Sequence, residues 1–314
     1  MKAPAPLLLI TVLQGLSGGM AVALSIEVIR GKPVSPIAYG VALALALIGG
    51  GASFTHMHHF SAGRYMLRGW RTSWLSREAI TTGLYIAVLA ATLWWTVRAP
   101  GVAVGIGWWA GWAAALGLFA MWVTAMVYAS IPAMRSWHSP LTVVTMMTTG
   151  ILGGFMVVLP FIGESASLTI ASLVVMALWL GFRGLQFRFF VDARQGVNAA
   201  TATGLSRAPH RLQDSGTTKP PYRSQTQIAP DLPALTRHLA MAAILWWVVV
   251  LPLGLTLLAH VLKAPITIAG IRAASVVTGS FIDRWLFFRD ATHSSRAWFA
   301  DLGPSKPGLA GAKF

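Results

Sequence analysis

Apolar runs long enough to cross a bilayer alternate with polar connections along most of this chain. They lie near 5–29, 36–58, 78–98, 102–131, 139–160, 166–188, 234–262 and 265–288. A hydrocarbon core about 30 Å thick needs about 20 residues of helix, and a helix satisfies its own backbone where no water can. The pattern therefore predicts an all-α polytopic membrane protein, a bundle of eight transmembrane helices. Only Lys263-Ala264-Pro265 divides the last two runs. The fourth is long and carries Trp108, Trp109, Trp112 and Trp122, and tryptophan at its start fits an interfacial belt. The first follows Met1 and Lys2, exceeds a signal-peptide core in length and contains Gln14 and Ser17, so it reads as a retained span.

Two stretches fall outside this pattern. The connection 189–233 is rich in Ser, Thr, Gln, Pro and Arg, with Pro220-Pro221 at its centre, a composition that builds no core. It reads as a loose loop, with a docking arm as the alternative. The tail 289–314 reads the same way.

Composition removes several function classes. The chain is 55% hydrophobic and 11% charged, against about a quarter charged in soluble domains, which sets aside a soluble enzyme. It has no cysteine, so disulfides, thiol catalysis and iron–sulfur ligation are excluded from this chain. The net charge of +15 belongs to membrane orientation and not to nucleic acid. With eight spans both termini share a side, and 19 of the 24 Lys and Arg residues fall there. Arg30, Lys32, Arg98 and Lys263 fall opposite, with Arg272 inside the last span. The bias predicts a multi-pass protein of the bacterial inner membrane with both termini cytoplasmic.

Candidate chemistry concentrates where the second run ends and the third begins. Ser53-Phe54-Thr55-His56-Met57-His58-His59-Phe60 leads to Arg64, and Thr72-Ser73-Trp74-Leu75-Ser76-Arg77-Glu78 opens the next run. Polar groups of that density at a membrane boundary are costly unless they serve a ligand, a proton or a partner.

Several segments together resemble the anchor subunits of the DMSO reductase family, the DmsC-type proteins. They are Gln14 to Gly19, His56, Arg64, Thr72 to Glu78, Tyr128-Ala129-Ser130-Ile131-Pro132, Trp137-His138-Ser139-Pro140, and Gly279 to Phe288. The Ser73 to Glu78 string is the most specific of them. The resemblance implies a membrane anchor that exchanges electrons between a membrane quinone or quinol, menaquinone or ubiquinone, and a four-cluster ferredoxin-like iron–sulfur subunit. That partner serves a large molybdopterin catalytic subunit, so the iron–sulfur clusters and molybdopterin lie in the partners, and no haem is expected here. The resemblance also ties the histidine ending the second span to quinone binding, and His56 is the matching position. Where the family commonly has His-Leu-Gly-x-Pro, this chain has His56-Met57-His58-His59-Phe60. Enteric DMSO reductases face the periplasm, whereas the charge bias here turns the equivalent connections to the cytoplasm. It thus favours a complex of the sulfite dehydrogenase kind.

Residue by residue, His56 suits a hydrogen bond to a quinone oxygen near neutral pH, with a headgroup-region cap as the bland alternative. His58 and His59 suit lipid headgroups or a partner surface. Arg64 and Arg77 suit either a reduced quinone's negative charge or a pair with Glu78. Ser73 and Ser76 suit caps of the third span, with Glu78 in its first turn. Gln14, Tyr128, Asp283 and Arg284 belong to the same leaflet, where Asp283 next to Arg284 suggests an ion pair or a proton relay.

Other readings rest on other residues. Eight spans with Glu27 and Arg272 inside them suggest a transporter, but transporter sites lie near the midplane while these polar residues gather at one leaflet. His56, His238 and His293 share a side, so one bis-histidine pair for a single haem is conceivable, while His260 stands alone opposite, which leaves no two stacked haems. A purely structural anchor is the third alternative.

Overall fold

The computed structural model describes residues 5–55, 67–98, 103–192, 232–262 and 265–291. Among them every regular element is helical. The helices are α1 (Ala5–Ile29), α2 (Pro36–Phe54), α3 (Trp74–Arg98), α4 (Ala103–Ala129), α5 (Pro140–Ile162), α6 (Ala166–Asp192), α7 and α8 (Pro265–Arg289). The seventh is built of Ala234–Leu245, a π-turn Trp246–Val250 and Leu251–Leu262. Among the described residues eight helices are long and apolar enough to cross a membrane. At 1.5 Å per residue, the 25 residues of α1 are about 37 Å long, enough for the hydrocarbon and part of each interface.

Helix ends follow local chemistry more than hydropathy. Ser35 and Ser139 each accept a hydrogen bond from the amide two residues on, with Pro36 and Pro140 at the first helical position. The third helix starts at Trp74, a turn before its apolar run, because the Ser73 hydroxyl accepts from the Ser76 amide. This places Glu78 beyond the first turn, buried in the bundle, so the expectation of a dipole-favoured first-turn acid is corrected. Ser76 is likewise inside the helix and buried, against Gly69, and Ser73 alone caps.

At the centre stands α1, packed against α2, α4, α5 and α8. It is apolar all round and buried on nearly every face from Ile10 to Leu24, as expected of an interior helix. Its approach to α5 uses two facing small-residue pairs, Gly15/Gly19 and Gly150/Gly154. A Cβ on Gly19 would lie 2.3 Å from the Gly150 carbonyl oxygen, and one on Gly154 2.2 Å from the Met20 amide nitrogen. Helix association in lipid lacks a hydrophobic drive and depends on such close packing. The Gln14-to-Gly19 segment therefore owes its glycines to a helix crossing.

The rest of the bundle builds outward from this pair. The third helix packs on α2 and α4, α6 and α8 pack on α5, and α7 packs on α8. Within α7, Pro252 has no amide hydrogen to donate one turn back, and the helix widens ahead of it. The Leu251 amide reaches the Trp246 carbonyl, while the Ser275 hydroxyl of α8 takes the Trp247 carbonyl. Large apolar side chains such as Trp108, Ile170, Leu235 and Leu257 are exposed around the outside, a surface suited to lipid.

Candidate functional site: a buried polar layer at one end of the bundle

Alternation of the eight helices brings the starts of α1, α3, α5 and α7 to the same end as the finishes of α2, α4, α6 and α8. This near end carries the 67–73 turn and the 130–139 connection. In the half of the bundle beneath it lies a layer of buried polar side chains.

On α3, Glu78, Thr82 and Tyr85 recur at helical spacing and face α1 and α4. Gln14 Nε2 donates to Thr82 Oγ1 at 2.9 Å. One turn deeper, the Ser17 and Tyr85 hydroxyls are 2.7 Å apart, and Ser17 also donates to the Ala42 carbonyl at 2.7 Å. One turn shallower, the buried Glu78 carboxyl faces Thr124 of α4. Gln14 is buried, and its Oε1 has no hydrogen-bond donor among the described residues. Leaving such an acceptor unmet costs about 1–3 kcal/mol, so it is a natural point for a ligand or water.

Tyr128 stands between this group and a second one. Its ring meets Trp137, Phe287 and Phe288 edge-on at centroid distances of 5.5, 5.8 and 5.3 Å. Trp137 stacks on Phe287 and donates from Nε1 to the Phe287 carbonyl at 3.1 Å. This aromatic nest holds the Tyr128 hydroxyl within electrostatic reach of both Glu78 and Arg284.

The second group joins α6 and α8. Arg183 Nε lies 2.7 Å from Asp283 Oδ1, and its Nη1 donates to Gln186 Oε1 at 2.6 Å. Gln186 in turn reaches Thr142 Oγ1 at 3.5 Å. Arg284 Nη2 is 3.4 Å from Asp283 Oδ2. Asp283 and Arg284 thus do meet, but the tighter partner of Asp283 comes from another helix. Arg183, Gln186, Asp283 and Arg284 are each at most 3% exposed.

Arg77 has a different place. Its Nε and Nη2 donate to the Trp70 and Arg71 carbonyls at 2.9 and 2.6 Å, and its guanidinium lies 4.3 Å over the Trp74 ring. It makes no ion pair with Glu78, so that alternative is corrected: Arg77 pins the 67–73 turn onto α3. His56, His58, His59 and Arg64 lie outside the described residues. So does His293, while His238 bonds the Ala234 carbonyl of its own helix turn.

Arg183 and Gln186 are functional candidates that sequence reasoning missed, because inside the sixth apolar run they carried weight only in the charge count or none at all. A charge nine residues inside a helix ending at Asp192 was the available signal. Thr82, Thr124 and Tyr85 carry no sequence signal apart from their spacing along α3 and α4.

Among the described residues two ion pairs stand at the opposite end. Glu27 pairs with Lys32 at 2.8 Å and accepts from Ser165 and Ser167, and Arg272 pairs with Glu164 and donates to Thr256. The ion pairs of Glu27 and Arg272 bind connections together. A groove of about 620 Å³ also lies at that end, lined by Val28, Ile29, Gly31, Gly107, Trp108, Gly111 and Trp112, with no titratable group.

Comparison with known proteins agrees with this architecture. Residues 1–289 match the family described as DMSO reductase anchor subunit (DmsC). The chain is also similar to a sulfite dehydrogenase subunit of Allochromatium vinosum, 27% identical over 281 residues, covering 83% of this chain and 85% of that one. With eight apolar helices and a match that runs from the first residue through the last helix, the chain belongs to the DmsC family of membrane anchor subunits.

Proposed function

We propose that this protein is the membrane anchor and quinone-reactive subunit of a molybdopterin oxidoreductase. It exchanges electrons between a membrane quinone or quinol and an iron–sulfur subunit docked at the near end. The sulfite dehydrogenase relative favours a complex of that kind, with a DMSO reductase-like complex as the alternative. The charge bias of the connections turns the near end and both termini to the cytoplasm.

One observation carries the reading: the buried polar layer beneath the near end, with an unmet acceptor on Gln14 and a buried carboxyl on Glu78. A quinone supplies two-electron chemistry coupled to two protons, and these residue types fit it. Gln14 Oε1 is placed to accept a hydrogen bond, Glu78 to hold or give up a proton, and Thr82, Thr124 and Tyr128 to orient polar neighbours. His56 would complete the site from the end of the second span, as the family resemblance implies. Apolar helices around the layer exclude water, which strengthens each of these contacts.

The test separates two activities of the assembled complex. His56→Ala and Gln14→Leu are each assayed for quinone-linked turnover and for turnover of the catalytic subunit with an artificial dye. We expect quinone-linked turnover to fall and dye-linked turnover to persist. Equal loss of both, or of neither, overturns the reading.

A further inference from the structure

Gln14 is 1% exposed, so a molecule dissolved in the membrane reaches its unmet Oε1 only if a neighbour gives way. The amide lies where α1, α2 and α3 meet. Its Nε2 donates to Thr82 Oγ1 at 2.9 Å, and α2 covers this pair with two glycines. A Cβ on Gly49 would lie 3.2 Å from the Gln14 amide nitrogen, and one on Gly50 would lie 3.4 Å from Thr82 Cγ2. Where α2 crosses the pair, the cover is therefore backbone alone. On the outer side of the same turn Leu47 and Ile48 are 51% and 56% exposed, and Gly51 is exposed as well.

Packing accounts for Gly49 and Gly50 but not for Gly51. Nothing lies within 4 Å of a Cβ built there, and its backbone is helical with no positive φ. Alanine would fit at that position and hold the helix better, since glycine weakens a helix interior. The three glycines stand just before the end of α2 at Phe54, and the Thr55 amide and hydroxyl close that end by returning to the Ala52 carbonyl. Earlier in α2 the helix is fastened to the core. Ser17 donates to the Ala42 carbonyl at 2.7 Å, and Ala42 and Ala46 are wholly buried. The helix thus has a fixed stem and a weak last turn, and the weak turn lies on the unmet acceptor.

We propose that the 49–51 turn of α2 is the gate through which quinol enters sideways from the lipid, and that Gly51 is the residue that lets it open. Unwinding the turn lifts Gly49 and Gly50 off Gln14 and Thr82. A flat headgroup can then donate from its hydroxyl to Gln14 Oε1, while its apolar tail stays in lipid along Leu47 and Ile48. The route rests on the quinone reading above, but the local weakness of the turn does not.

Alanine at Gly51 tests the gate, because it fills open space and strengthens the helix. A glycine with no role in opening predicts unchanged quinone turnover in Gly51→Ala. We expect instead that quinone-linked kcat/KM of the assembled complex falls about fivefold. That is a helix preference of about 1 kcal/mol, converted at about 1.4 kcal/mol per tenfold, charged to the open state. Dye-linked turnover should hold, and the unfolding midpoint should hold or rise. Gly40→Ala, also in open space but in the first half of α2, is the control and should leave quinone turnover unchanged. Hydrogen exchange gives a readout without quinone: wild-type amides 50–54 should exchange faster than amides 42–46, and Gly51→Ala should slow them. Unchanged kcat/KM in Gly51→Ala, or equal falls in Gly51→Ala and Gly40→Ala, overturns the proposal. If Gln14→Leu loses quinone turnover and Gly51→Ala does not, the quinone reading stands and the gate alone is overturned. If both keep full turnover although exchange slows in Gly51→Ala, the quinone reading falls and the gate falls with it.

Discussion

Asp283 on α8 lies 2.7 Å from the guanidinium of Arg183 on α6, both almost wholly removed from solvent. Residues adjacent on a helix do not face each other, so the neighbouring Arg284 is the looser partner at 3.4 Å. The pair ties together two helices that otherwise meet mainly through α5. Breaking such a pair from one side leaves a bare buried charge. We expect Asp283→Leu to destabilise the bundle by about 3–5 kcal/mol. Thermal denaturation in detergent measures this, and a variant as stable as wild type would show that Asp283 pairs with nothing essential.

The crossing of α1 and α5 is equally specific. Gly154→Ala would press a methyl against the Met20 amide at 2.2 Å, a backbone atom that has no rotamer to give. The expected cost is about 1–3 kcal/mol or more. Gly181→Ala is the control, since nothing lies within 4 Å of a Cβ there, and it should fall within about 0.5 kcal/mol of wild type. Equal effects of the two changes would show that close approach is not what these glycines supply.

Arg77 should act through the turn it holds. Arg77→Ala removes both hydrogen bonds to the Trp70 and Arg71 carbonyls and the contact with Trp74. We expect faster tryptic cleavage after Arg68 or Arg71 in membranes, with little change in the unfolding midpoint. Unchanged cleavage would assign the turn's order to other contacts.

Sidedness is open to a clean test because the chain has no cysteine to give background. Arg135, in the connection between α4 and α5, and Arg30, after α1, are both exposed and lie at opposite ends of the bundle. An impermeant thiol reagent should label Arg30→Cys in intact cells and label Arg135→Cys only after the inner face is opened. The reverse pattern would turn the near end outward.

The membrane class and the eight helices were legible in the chain itself, because hydrocarbon forces every crossing segment to be long, apolar and helical. The DmsC resemblance was legible for a related reason: its marks are short local strings such as Ser73 to Glu78. Charge bias, another property of sequence alone, supplied the expected orientation. What the chain could not disclose was which polar residues share one layer. Glu78 was expected in a first turn, and the start of α3 one turn earlier placed it beyond that turn, buried in the bundle. Arg183 lies inside the sixth apolar run, and the packing of α6 and α8 on α5 made it the partner of Asp283. Hydropathy records how far along a span a residue sits, but not the direction in which its side chain points. That direction was decided by the glycine-mediated crossing of α1 and α5 and by the helices arranged around it.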